Sequence, residues 1–129
     1  MVTRQDIIDR LSQLGYETEE PDNDFIDFEL LKYTNYTLNY CNITEVPEIV
    51  EPRLIDRICS EILMFLNDSG KLTGFDFDIA VKKIKEGDTT IDYSIGAGEK
   101  TPEARFNEMV KMLERGYDKW LTPFRRLHW

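Results

Sequence analysis

The chain contains 129 residues, of which 41% are hydrophobic and 12% aromatic, and its formal net charge at neutral pH is -9. This length predicts one domain with a hydrophobic core, and the composition excludes wholesale disorder. The excess of carboxylates disfavours sequence-independent binding to nucleic acid, and no apolar run approaches the ~18 residues of a membrane-spanning helix. Because residues 1–9 lack the apolar stretch of a secretory signal, we expect an intracellular protein whose cysteines, Cys41 and Cys59, are reduced and buried.

The charges are distributed unevenly along the chain. Residues 1–70 contain 5 Lys or Arg and 15 Asp or Glu, whereas residues 71–129 contain 11 and 10. One interpretation is that acidic, solvated helix faces are concentrated in the first half. The other is head-to-tail association, in which an acidic face of one copy contacts a less acidic face of the next, and heterologous contacts of this kind can close into rings. The charge distribution alone does not decide between them.

Capping signals predict the first two helices. The first, near 3–15, begins with Thr3 as N-cap and Asp6 at the capping-box position, and Gly15 ends it. The second, near 24–41, has an apolar face that we expect to be buried, formed by Ile26, Leu30, Leu31, Thr34, Leu38 and Cys41. Beside this face runs a stripe of tyrosines, which are expected at the rim of the core because tyrosine buries its ring and hydrates its hydroxyl: Tyr33, Tyr36 and Tyr40.

Two further helices complete the predicted bundle. The third, near 52–67, opens with Pro52 at the first helical position, and its apolar residues cover two adjacent stripes, so we expect it to be the central helix. The fourth, near 101–115, opens with Thr101-Pro102-Glu103, and its apolar stripe consists of Phe106, Met109, Val110 and Leu113. The predicted fold class is therefore mainly α, a small bundle of about four helices.

The character of the sequence changes between the third and fourth helices. After the turn residues Gly87 and Asp88, apolar Ile91, Tyr93 and Ile95 alternate with polar residues. This alternation predicts a short β-hairpin or extended β element over residues 81–95. Because an isolated two-stranded hairpin is marginally stable, we expect the element to pack on the helices or to be completed by another chain.

The last stretch, residues 117–129, is aromatic and basic. Its large apolar side chains are costly to leave in water, so we expect the segment to dock on a surface. Either a groove on another subunit or the helices of its own chain would serve as that surface.

Few residues have the chemistry of a catalytic or metal-binding site. His128 is the only histidine, and a lone histidine one residue from the last is a poor general base, so we expect neither a His-rich metal site nor a His-based triad. The chain has no nucleophile elbow and no phosphate-binding loop. The carboxylates of Asp76, Asp78, Asp88 and Asp92 suit a hard cation but lack the spacing of a calcium loop. We therefore expect no catalytic residue, no metal and no cofactor.

Several stretches, taken together and in this order, resemble the head–tail connector proteins of tailed phages and prophages, also called head-completion or adaptor proteins. The first is residues 38–47, which lead into the apolar helix Leu54–Leu66. The second is residues 81–94, in which lysines and a Gly-Asp pair precede an alternating strand. The third is Thr101-Pro102-Glu103 with the closing helix and the terminal residues 124–129. This combination covers nearly the whole chain.

The resemblance implies a non-enzymatic structural virion protein, a single head–tail connector domain over residues 1–129. Copies of the family form a ring of about twelve subunits between portal and tail, in which heterologous contacts repeat around the DNA channel. The implied partners are further copies, the portal protein and a downstream neck or tail-completion protein, with DNA passing through without sequence-specific binding and without a membrane. The implied location is the virion neck, after synthesis in the host cytoplasm.

Two sets of residues are predicted to make these contacts. The first, in the C-terminal docking tail over residues 117–129, is expected to bind portal or a neighbouring copy, because arginine and tryptophan often dominate interfaces: Trp120, Phe124, Arg125, Arg126, Leu127 and Trp129. The second forms the inter-subunit β element: Ile84, Lys85, Gly87, Asp88, Ile91 and Tyr93.

Other classes of function stay open. An acidic DNA mimic or a small adaptor that inhibits or recruits a host protein would also use acidic helix faces. A metal-dependent enzyme would require the aspartates named above.

Overall fold

The computed structural model describes residues 1–72, 75, 80, 82–84 and 102–126, without the side chains of residues 102, 103 and 105. This part of the chain is mainly helical and contains no strand. Its helices are α1 (Arg4–Leu14), α2 (Asp22–Cys41), α3 (Glu51–Asp68), α4 (Pro102–Glu114) and α5 (Tyr117–Trp120). Two 3₁₀ turns, Glu48–Val50 and Thr122–Phe124, precede α3 and follow α5.

Local signals explain where α1 begins and ends. Thr3 accepts a hydrogen bond from the Asp6 amide through its hydroxyl, and the Asp6 carboxylate accepts one from the Thr3 amide, so the predicted capping box is present. Gly15 ends the helix with φ 105°, a left-handed conformation that glycine adopts without steric cost. Ile7, Leu11 and Leu14 of α1 are fully buried.

α3 is the central helix, as its two apolar stripes predict. It packs against α1, α2 and α4. An ion pair with both side chains mostly buried, from Arg10 Nε to Asp56 Oδ1 at 2.8 Å, fastens α1 to it. The apolar stripe of α4 is buried as predicted. The core thus surrounds α3, with Leu54, Ile58, Ile62, Leu63 and Leu66 almost inaccessible to water.

The buried face of α2 differs from the predicted one. Ile26 and Cys41 are buried as expected, but the other buried positions are Glu29, Tyr33 and Thr37. Leu31, expected inside, is 62% exposed. α3 and the tail cover the side of α2 on which Tyr33 and Thr37 lie. The helix is therefore rotated relative to the predicted orientation, and its leucine stripe lies beside the core instead of facing it.

The beginning of the predicted β element is helical. Residues 80 and 82–84 have helical backbone, and Ile84 is buried in the core. Of the residues predicted to contact a neighbour here, Lys85, Gly87, Asp88, Ile91 and Tyr93 lie outside the described residues. The β-hairpin therefore stays a prediction for residues 85–95 and is wrong for residues 82–84.

Candidate interaction surface

The tail that follows α4 lies against the C-terminal half of α2. The hydroxyls of Tyr117 and Thr37 are 2.6 Å apart in the interior, and Leu121 is fully buried. The amide of Arg126 donates to the carbonyl of Cys41 at 2.7 Å. Two segments about 80 residues apart in sequence are thereby joined along one side of α2.

Asn42 continues this attachment at the end of α2. It adopts a left-handed conformation with φ 58° and caps the helix through its amide, which donates to Leu38. Its side-chain amide donates to the carbonyl of Arg126 at 3.1 Å. One residue therefore ends the helix and also holds the tail.

Arg125 packs on the tyrosine stripe of α2. Its guanidinium carbon lies 4.9 Å from the centre of the Tyr40 ring, and its Nε donates to the Tyr40 carbonyl at 3.1 Å. Tyr40 in turn stacks on Tyr36, with ring centres 6.0 Å apart. Burial, with a hydrogen bond to Asp118, raises the pKa of Tyr36 to about 12. The stripe forms the rim of the core at Tyr36 and Tyr40, whereas Tyr33 is buried.

Trp120 and Phe124 form an aromatic pair with ring centres 5.1 Å apart. The guanidinium of Arg53, on α3, lies 4.5 Å from the Trp120 ring centre and donates to the carbonyl of Arg115 at 2.9 Å. Burial and then the nearby charge of Arg115 lower the pKa of Arg53. The attraction between a guanidinium and an indole face strengthens when both lose water, so this contact fixes the tryptophan on α3.

The structure thus places four of the six predicted partner-binding residues against their own chain. Trp120 and Phe124 are half-buried, whereas Arg125 and Arg126 are exposed. Leu127 and Trp129 lie outside the described residues. The tail was expected to dock either on another subunit or on the helices of its own chain, and residues 117–126 lie on the helices of their own chain. Binding of a partner by the exposed arginines stays a prediction. We call Lys119, Trp120, Phe124, Arg125 and Arg126 the tail surface.

A cleft separates the tail from the loop that follows α2. It has a volume of about 880 Å³ and is lined by residues 42–45 and Pro47 on one side and by Pro123, Phe124 and Arg126 on the other. The lining of the cleft is about half polar and half apolar, and the cleft is open to solvent, so it is a surface feature and not part of the core.

A second depression, which the sequence reasoning missed, lies along α2 and is mainly apolar. Its volume is about 440 Å³. We call it the α2 groove, and its apolar lining consists of Met1, Val2, Leu30, Leu31, Leu38, Val46 and Leu54. The leucine stripe of α2 is visible in the sequence, but an apolar stripe of this kind predicts burial in the core. The orientation of the helix instead leaves Leu31 exposed, with Leu30 and Leu38 half-buried at the groove.

A partly buried charged cluster lies between α2 and α3. Arg57 donates to Glu61 at 2.8 Å, and its guanidinium lies 4.6 Å from the Tyr33 ring centre. Burial raises the pKa of Glu61, but hydrogen bonds from Arg57 and Tyr33 outweigh burial, so the pKa lies below its usual value. The neighbouring Glu29 has no such bond to Oε2, its nearest cation is the Lys32 ammonium at 3.9 Å, and burial raises its pKa. The charged form of Glu61 is therefore stabilised, whereas the charged form of Glu29 is destabilised.

The described residues contain no group of three or more His, Cys, Asp or Glu side chains that could hold a metal ion. The four aspartates considered for a cation lie outside them. Among the helices described, none is long and apolar enough to cross a membrane.

The chain matches no family model, no curated protein and no solved structure.

Proposed function

We propose that this chain is a structural virion protein that forms a ring between portal and tail and extends the DNA channel. The observation that carries the proposal is the mainly apolar groove along α2, in whose lining Leu31 is 62% exposed. Exposed aliphatic area of this kind, beside an apolar groove, is typical of a surface that another protein covers. Assembly, rather than a reaction, is then the activity of the chain.

The tail surface supplies a second contact in this proposal. Arg125 and Arg126 are exposed beside the Trp120–Phe124 pair. Arginine and aromatic side chains are enriched among the residues that contribute most to binding. The tail surface would therefore bind portal or a neighbouring copy, while the buried Leu121 and Tyr117 hold it in place.

The charge of the chain suits a position around a DNA channel. Residues 1–70, with 15 acidic and 5 basic side chains, would repel the phosphate backbone and let DNA pass without sticking. The proposed partners are about twelve copies in a ring of heterologous contacts, the portal protein and a downstream neck protein. The proposed location is the virion neck, after synthesis in the host cytoplasm.

Binding to portal tests the proposal directly. The purified chain is measured by mass photometry, alone and with portal-bearing capsids that lack neck proteins. We expect many copies to bind each portal, and we expect Arg125→Glu with Arg126→Glu to weaken binding. The matched control is Lys71→Glu with Lys111→Glu, which reverses two exposed charges away from the tail surface. A chain that leaves capsids unoccupied would contradict the proposal.

One observation favours the alternative function of an acidic DNA mimic or adaptor. Exposed carboxylates follow one another on the connection between α1 and α2, at Glu17, Glu19 and Glu20, with Asp24 at the start of α2. A protein of this type would stay monomeric or dimeric, would bind a host nucleic-acid enzyme and would be displaced from it by DNA. Pull-down from host extract with a DNA competition step distinguishes the two functions.

A further inference from the structure

The α2 groove is a formed depression with an apolar floor. Leu30, Leu31 and Leu38 supply one wall from α2, and Val46 supplies the other from the loop after it. Leu54 of α3 is fully buried and closes the bottom. The first two residues, Met1 and Val2, complete the lining, so a single copy of the chain encloses the groove.

The rim of the groove is acidic. Asp27 and Glu45 line it, and Glu48 is exposed in the turn that follows the loop. Arg4 forms an ion pair with Asp27 and the Met1 ammonium forms one with Glu51, whereas Glu45 and Glu48 are exposed to water, so acidic groups outnumber basic ones at the rim. An occupant that combines apolar groups with positive charge would therefore complement both the floor and the rim.

The tail surface of the same chain has this chemistry. Trp120 and Phe124 form its apolar pair, and three exposed cations are their neighbours in sequence: Lys119, Arg125 and Arg126. Within one copy, however, Phe124 and Arg126 face the cleft, and neither lines the groove. Thr44 and Glu45 line both depressions, so the loop that carries them stands between the tail surface and the groove. The described tail of a chain thus does not fill the chain's own groove.

We propose that the α2 groove of one copy binds the tail surface of a second copy. This inference rests on the proposed function and specifies which surfaces would join neighbouring subunits. The two surfaces are different patches of the chain, so the contact is heterologous and leaves a groove free at one end of the pair and a tail surface free at the other. The charge asymmetry of the sequence thereby acquires a structural role, because the acidic rim belongs to residues 1–70 and the basic patch to residues 117–126.

Sedimentation velocity over micromolar to sub-millimolar concentration tests the proposal with one variant on each surface. Leu31→Asp places a charge in the groove, and its matched control is Phe28→Asp, on the same helix, equally exposed at 60% and outside the groove. Arg126→Glu alters the tail surface, and Lys111→Glu is its control. The Arg126 contacts in the structure use its backbone amide and carbonyl, so this side chain is replaceable without loss of those contacts.

We expect the wild-type chain to self-associate and each surface variant to weaken association at least about tenfold, as loss of an interface anchor does. Both controls should associate like the wild type. An equimolar mixture of Leu31→Asp and Arg126→Glu should form a one-to-one complex, because one variant keeps an intact tail surface and the other an intact groove. Glu45→Lys provides a second groove variant in an exposed loop, and the thermal unfolding of every variant is compared with that of the wild type.

A wild-type chain that stays monomeric throughout, a mixture that does not associate, or a control that weakens association as strongly would overturn the proposal. The portal experiment separates this failure from failure of the proposed function. If capsids bind wild type and Leu31→Asp equally, the groove contact is wrong and the function stands. If the chain self-associates through these surfaces but ignores capsids, the groove contact stands and the function is wrong.

Discussion

The hydroxyl of Tyr117 donates a hydrogen bond to the hydroxyl of Thr37 across 2.6 Å, joining residues 80 positions apart. The direction follows from the second bond of Thr37, whose single proton goes to the carbonyl of Tyr33 at 2.8 Å. Burial raises the pKa of Tyr117 to about 12, so the donor keeps its proton at neutral pH. The start of the tail is thereby attached to the C-terminal half of α2.

This direction predicts an asymmetry between two conservative substitutions. Thr37→Val leaves the Tyr117 hydroxyl buried without an acceptor and should lower the free energy of unfolding by about 2 kcal/mol. Tyr117→Phe removes the donor while Thr37 keeps its bond to Tyr33, and should cost only about 1 kcal/mol. Urea denaturation measures both, and the double variant should lose less than the sum of the two. Equal losses would mean that the donor is assigned wrongly.

Glu29 should make the stability of the protein depend on pH. Its side chain is 8% exposed, its Oε2 lacks a hydrogen bond, and burial raises its pKa despite Lys32 and Arg57 nearby. The folded protein therefore binds a proton here more tightly than the unfolded chain. The stabilising contribution of this group is complete below the unfolded pKa and is lost as the pH rises through the folded pKa.

Glu29→Gln removes this titration. We expect the variant to be more stable than wild type at pH 7 by about 1 kcal/mol, and the two to converge below the ordinary glutamate pKa. Thermal unfolding from acidic to neutral pH measures the difference, with the exposed Glu20→Gln as control. A variant less stable than wild type at pH 7 would show that the carboxylate is stabilised in its charged form.

Two substitutions of Asn42 separate its role as helix cap from its contact with the tail. Asn42→Gly keeps the left-handed conformation but removes the bond to Arg126, so the helix end should survive while the tail is loosened. Asn42→Ala loses the bond and also strains the backbone, and should cost about 1 kcal/mol more. Hydrogen exchange at the Arg126 amide, which donates to Cys41, reports on the tail. Unchanged exchange in Asn42→Gly would mean that the backbone bond alone holds it.

The two cysteines should be unreactive while the protein is folded. Both are buried, and burial raises the pKa of each thiol. Since the thiolate is the nucleophile, a thiol reagent should react with neither residue at neutral pH until denaturant is added. Cys41 should react first as the tail loosens, because its neighbours include Leu121 and Arg126. Fast labelling of Cys59 in the native protein would contradict its place in the core.

Both ends of α1 and the start of α3 were predictable because each depends on a few adjacent residues. Thr3 with Asp6, the left-handed Gly15 and the early Pro52 act through the backbone next to them. The central place of α3 was also predictable, since apolar residues on two adjacent stripes require neighbours on more than one side. These features need no knowledge of distant contacts.

The buried face of α2 was not predictable in the same way. The helix carries a leucine stripe and a tyrosine stripe, and either could have faced the core. Residues distant in sequence determine which stripe is buried, because Tyr117 binds Thr37 and Arg57 packs on Tyr33. The same holds for the candidate site. The composition identifies Trp120, Phe124 and the arginines, but it leaves open whether they attach to α2 and α3 of their own chain or to another subunit.

The sequence by itself therefore determined the mainly helical class, the helix ends and the charge asymmetry, since these depend on local chemistry and on counts of residues. The tertiary structure alone decided which side of α2 is covered, that Glu29 is buried, and that the leucine stripe forms an open groove. The physical reason is that an isolated helix with two apolar stripes gains comparable free energy by burying either one. The contacts of α2 with α3 and with the tail favour burial of the stripe that carries Tyr33 and Thr37.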